Sequence, residues 1–275
     1  MPIRTIQTKP ILFSLFFFVC MFALHKLPLA AFLQNTLGYT AVFATMASKL
    51  IFNIIIIGSA YLLCVRTDNT KLGGLQLLTF RNFYLFALPV LYICLMTQNF
   101  ARVRTVESPD FFSPLMLLFF FKSLSIGFLE EVTFRSLFQS LILKKYYASH
   151  GIYFCVTIVS LLFGFGHIIN LINLNYSLIG VFSQIAFAFC VGFLFSSLVI
   201  ATQNVYPIGI IHALNHFSSN IILVFPQYFT NPSTADRNSS TLEIAGSVLL
   251  TLVIFGIPTI VPSYYILNRF KPVLS

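Results

Sequence analysis

The chain has 275 residues, 58% of them hydrophobic and 8% charged, against roughly 45–50% and about 25% in an ordinary soluble domain. A mean hydropathy of +0.91 and 33 Phe exclude a water-soluble globule, whose single core could not hide so much apolar surface. The formal charge of +9 would suggest nucleic acid in a soluble protein. Here the basic residues gather in the connecting loops, as membrane topology requires, and no nucleic-acid partner is expected. The expected class is an all-α, polytopic bundle of about eight transmembrane helices, forming one integral-membrane domain over residues 1–275.

A bilayer core of about 30 Å needs about 20 apolar residues per helix. Runs of that kind cover Ile11–Leu33, interrupted by His25, Lys26 and Pro28, then Ala41–Val65 and the shorter Phe83–Met96. Phe111–Leu143 is too long for the membrane unless one end leaves it. Gly151–Ile169, Tyr176–Ala201, Ile208–Phe225 and Leu242–Leu267 complete the set, with a polar loop at Pro226–Thr241. Arg4 and Lys9 ahead of Ile11–Leu24 also fit a signal peptide, but no clear A-x-A site follows, so the stretch is read as a first span. Alternate loops hold Arg4, Lys9, Arg66, Lys71, Arg81, Lys144, Lys145, Arg269 and Lys271 on one side, and Lys26, Arg102, Arg104 and Arg237 on the other. That bias places both termini in the cytoplasm. The short loops, the absence of Trp and the high Phe and Ile content suit a bacterial inner-membrane protein. Five cysteines, odd in number and all in apolar stretches, predict neither a disulfide framework nor a zinc knuckle.

Three clusters do not belong in lipid. Glu130 and Glu131 lie adjacent inside a hydrophobic helix, where a carboxylate needs a partner or a wet cavity. Arg135 stands four residues after Glu131, so these two pair within their own helix. Glu130 points about 100° away, with Phe134 as its i+4 neighbour and Lys122 about 12 Å along the axis. It is therefore read as the free carboxylate, a candidate to accept and return a proton. The second cluster is Phe163-Gly164-Phe165-Gly166-His167, with Ser160, Phe163, His167 and Asn170 on one helical face. The third sets His212 and His216 on one face, followed by Ser219 and Asn220. An HExxH metalloprotease helix would need Glu after the first His, where this chain has Ala213.

Taken together, EExxxR at Glu130–Arg135, FxxxH at Phe163–His167 and the His212 site on three separate spans resemble the CPBP family. These are the CAAX-protease and bacteriocin-processing intramembrane peptidases, also called Abi. The stretch Leu178–Phe217, with Pro207-Ile208-Gly209-Ile210-Ile211-His212-Ala213-Leu214-Asn215 near its end, also looks like the family. The resemblance covers Phe111–Phe225 and makes residues 111–225 the catalytic core. It implies a hydrolase in which Glu130 and His167 activate water, His212 stabilises the oxyanion, and Glu131 with Arg135 orients the substrate. Where the family usually has Asn or Asp four residues after that His, this chain has His216, with Asn215 one place earlier, so both are oxyanion candidates. The need for a metal stays open at this point: a Glu and two His could hold a divalent metal such as zinc or act directly. The partners implied are the lipid bilayer and a peptide or protein substrate, whether prenylated or bacteriocin- or signal-peptide-like. Two other classes compete: a silent relative that binds peptide or membrane-protein partners, and a proton-coupled transporter, which lacks an internal repeat. Helix lengths counted from the cytoplasmic ends put Glu130, His167 and His212 about 18, 24 and 6 Å deep. Those depths disagree, so convergence of the clusters is an expectation from the resemblance.

Overall fold

The computed structural model describes residues 3–75, 82–87, 112–172, 177–224 and 239–270. Among them every regular element is helical, apart from an isolated bridge between Leu75 and Asn204. The short α1 (Ile3–Thr8) leads into α2 (Pro10–His25), α3 (Leu29–Leu37) and α4 (Ala41–Arg66). The break between α2 and α3 falls at Lys26–Pro28, where the sequence has its interruption, because Pro28 supplies no backbone donor. Thr40 opens α4 with its hydroxyl accepting from the amide of Phe43. Of the third expected span, Phe83–Met96, only residues 83–87 lie within the described residues, and Phe83–Phe86 there forms a 3-10 turn.

α5 (Pro114–Glu131) starts on a Ser113 cap with Pro114 in its first turn. It runs straight into a π-helical turn, Val132–Gln139, and then into α6 (Ser140–Gly166). α6 is broken at Gly151, whose φ of 79° and ψ of 174° leave the helix, a conformation that glycine adopts without a Cβ clash. The break folds one long stretch into a hairpin. Cys155 lies against the Ile142 carbonyl, and the rings of Phe134 and Phe163 meet at 5.1 Å, so the arms run antiparallel. Carried on, that register sets Glu130 level with His167. α7 (Leu178–Thr202) follows, then α8 (Tyr206–Asn220), α9 (Thr241–Thr251), a second π turn at Leu252–Gly256 and α10 (Ile257–Arg269). Ser240 and Glu243 close a capping box at the start of α9.

Five stretches among the described residues are long and apolar enough to cross a membrane: Pro10–Leu37, Ala41–Arg66, Pro114–Leu171, Leu178–Thr202 and Thr241–Arg269. The fourth and fifth expected spans are joined in the third of these, and α8, with 15 residues, is shorter than a full span. α7 is the centre of the bundle, with 83% of its most apolar window buried, against 11% in Thr241–Arg269. In lipid, packing of small residues and hydrogen bonds between helices hold such a bundle together. Asn53 donates to Ser125 at 2.8 Å and Gln139 donates to the Ser196 carbonyl at 3.2 Å.

A close backbone approach joins α5 to α8. A Cβ on Gly127 would stand 2.5 Å from the Ala213 amide nitrogen and 2.6 Å from the Gly209 carbonyl oxygen. Both are backbone atoms and cannot swing aside. Gly127→Ala is therefore expected to spread the helices that carry Glu130 and His212, costing about 1–3 kcal/mol and most of the activity. Thermal unfolding in detergent together with the cleavage rate checks this, and a variant with wild-type stability and rate would refute it.

Candidate active site

Glu130 and Glu131 end α5 immediately before the π turn, His167 opens the 3-10 turn His167–Ile172 after α6, and His212, Asn215 and His216 lie on α8. Antiparallel packing of α5 and α8 brings the first and third clusters into contact. Arg135 Nε donates to Glu131 Oε2 at 3.1 Å, with both side chains fully buried. The other oxygen of Glu131 accepts from His212 Nδ1 at 2.8 Å. This carboxylate fixes the proton on Nδ1 and turns Nε2 of His212 toward Glu130, whose Oε2 lies 3.3 Å away. His216 Nε2 stands 3.6 Å from the second oxygen of Glu130. The two imidazoles stack at 4.9 Å, as their i, i+4 spacing allows.

Glu130 is thus without an intrahelical partner, as its spacing predicts, but it is not free: two histidines from another helix face it. Helical spacing within α5 could not reveal partners supplied by tertiary packing. The guanidinium of Arg135 lies 4.7 Å over the Phe163 ring, a cation–π contact that ties the first cluster to the second. Phe163 and Phe195 also set their edges against His212, at 5.9 and 5.6 Å. His167 Nδ1 lies 3.2 Å from the Phe163 carbonyl, which leaves Nε2 for other work.

Three adjoining cavities meet here. One of about 80 Å³ is lined by His167, His212, Asn215 and His216 with Phe163 and Phe195, with room for more than one water. A second of about 300 Å³ is lined by Glu130, His167, Asn170 and His216. A third of about 340 Å³, between α7, α8 and α9, is lined by Asn215 and Ser219 among others. The catalytic candidates Glu130, His167 and His212 and the oxyanion candidates Asn215 and His216 all line the first or the second. Glu131 and Arg135, expected to touch substrate, line none of the three and reach the site through His212.

Glu130, His212 and His216 each offer a ligand atom, all within 4.8 Å of one another. His212 Nε2 lies 3.3 Å from one oxygen of Glu130 and His216 Nε2 3.6 Å from the other, a carboxylate–imidazole set of the kind zinc takes. Glu130 Oε2 and His216 Nε2 are buried without a hydrogen-bond partner, so this donor set fits a metal ion. The four cysteines among the described residues, Cys20, Cys64, Cys155 and Cys190, are free and take no part.

Gln184 of α7 went unnoticed in the sequence. It lines all three cavities, and the available signal was that it is the only amide side chain between Leu178 and Thr202. No curated protein and no solved structure matches the chain. The residues that build the site are, however, those of the stretch 112–218, which matches the family model described as type II CAAX prenyl endopeptidase Rce1-like, so that the resemblance to the CAAX-protease family read from its three clusters is borne out.

Proposed function

We propose that the protein is an intramembrane endopeptidase of the CAAX prenyl protease-like type, hydrolysing a peptide bond near the membrane interface. The observation that carries this reading is the meeting of Glu130, His167, His212 and His216 around connected cavities inside otherwise apolar helices. Glu130 takes a proton from water held between it and His167, and the water oxygen attacks the scissile carbonyl carbon. His212, held by Glu131 on one nitrogen and acting as the imidazolium with both nitrogens protonated, donates from the other to the developing oxyanion, with Asn215 or His216 as a second donor. Glu130 or His167 returns the proton to the leaving amine as the C–N bond breaks. Arg135 balances the buried charge of Glu131 and so keeps His212 in place. The matching family supports a substrate with a prenylated tail, and the bias of basic loops supports a chain with both termini in the cytoplasm.

Zinc bound by Glu130, His212 and His216 would supply a Lewis acid to the same carbonyl, and the donor spacing is the observation that favours this second reading. Direct acid–base catalysis predicts that dialysis against a strong chelator leaves the rate within about twofold. Loss of activity that zinc restores would make Glu130, His212 and His216 ligands instead.

The test of activity is cleavage of fluorogenic peptides, with and without a farnesylated Cys tail, by detergent-purified protein. Folded wild type that cleaves none of them would leave a peptide-binding relative without hydrolysis, or a proton carrier, in place of the enzyme. In the same assay His216→Asn is expected to keep the rate within about tenfold, because an amide also donates to an oxyanion. His216→Leu is expected to lose about 100-fold, the usual effect of removing one such donor.

A further inference from the structure

We propose that the side chains of Asn170 and Gln184 together form the element that binds the backbone of the substrate, an inference that rests on the peptidase reading. Asn170 Nδ2 donates to Gln184 Oε1 at 2.8 Å. Among the described residues this is the only hydrogen bond either side chain makes. The bond uses one donor of Asn170 and one acceptor of Gln184. It leaves the second face of the pair with an amide donor, Nε2 of Gln184, and a carbonyl acceptor, Oδ1 of Asn170. Both residues are only partly buried, so that face is reachable.

Their position connects the pair with the chemistry. Asn170 follows His167 by three residues, and both line the cavity that contains Glu130. Gln184 lines that cavity, the smaller one with His212, and the larger one running between α7, α8 and α9. An extended peptide entering at membrane depth needs partners for its backbone N–H and C=O, because lipid offers none. The pair keeps one donor and one acceptor unused, the complement of one peptide unit, and can take up such a unit in the way strand addition does. A purely structural amide bridge would hold α7 to the turn after α6 but would be indifferent to the backbone of the substrate.

Esters placed one at a time along the fluorogenic peptide that wild type cleaves fastest delete single N–H donors without changing length or side chains. The scissile bond itself is left as an amide. Wild type is expected to lose about fivefold to tenfold in kcat/KM at one position, the effect of one neutral hydrogen bond. Asn170→Ala should lower kcat/KM for the all-amide peptide by a similar factor and abolish the penalty of that one ester. Gln184→Glu, which still accepts from Asn170 but has lost its donor, should lower kcat/KM without lowering the melting temperature. Ester penalties unchanged in Asn170→Ala at every position would overturn the assignment while leaving the peptidase intact. Failure of wild type to cleave any peptide would overturn both.

Discussion

Glu130→Gln is expected to lower kcat/KM by about 1,000-fold, within the 10²–10⁴ range attributed to a general base, while the fold stays intact. The amide has the shape of the carboxylate and can still face His212 and His216, which approach its two oxygens at 3.3 and 3.6 Å. It cannot take a proton from water. Because Glu131 and Arg135 hold His212 independently of Glu130, the oxyanion side of the site is expected to survive the change. Substrate affinity should then alter much less than kcat. Cleavage within tenfold of wild type would remove Glu130 from the chemistry, whatever its position.

Arg135→Leu is expected to be the most damaging single change to stability, at about 3–5 kcal/mol. Its side chain is fully buried against the equally buried Glu131, and removing one member of such a pair leaves the other charge uncompensated. It also removes the guanidinium from the face of Phe163. Adding Glu131→Gln should recover at least half of the lost stability, since no unpaired carboxylate then remains, and the amide oxygen can still accept from His212 Nδ1. Unfolding midpoints of the single and double variants in the same detergent decide the matter. A double variant no more stable than Arg135→Leu would mean that the guanidinium acts through packing and not through charge.

Local spacing made parts of this site legible before any coordinates. The Glu131–Arg135 pair and the stacked His212 and His216 are both i, i+4 relations within one helix, and both are present. The interruption at Lys26–Pro28 was equally plain, because proline acts on the backbone next to it. What escaped the sequence depends on contacts between helices. The two histidines facing Glu130 come from α8, and nothing within α5 announces them. The π turn at Val132–Gln139 has no signature in a run whose residues are all buried, where hydrophobic periodicity carries no phase. Depths counted from a helix end at Leu143 misplace Glu130 relative to His167. The chain instead continues as helix past Leu143 and turns only at Gly151, and the resulting hairpin register brings Glu130 level with His167.

On the peptidase reading, clusters from three separate helices act as one catalytic unit. A cycle of Glu130→Gln, His167→Gln and the double variant, read as kcat/KM on the best farnesylated peptide, tests it most directly. If both residues activate the same water, the double variant is no more than a fewfold slower than the worse single variant, since a unit already broken has little left to lose. Losses that multiply, or a His167→Gln variant with wild-type rate, would contradict a shared site and separate the second cluster from the chemistry.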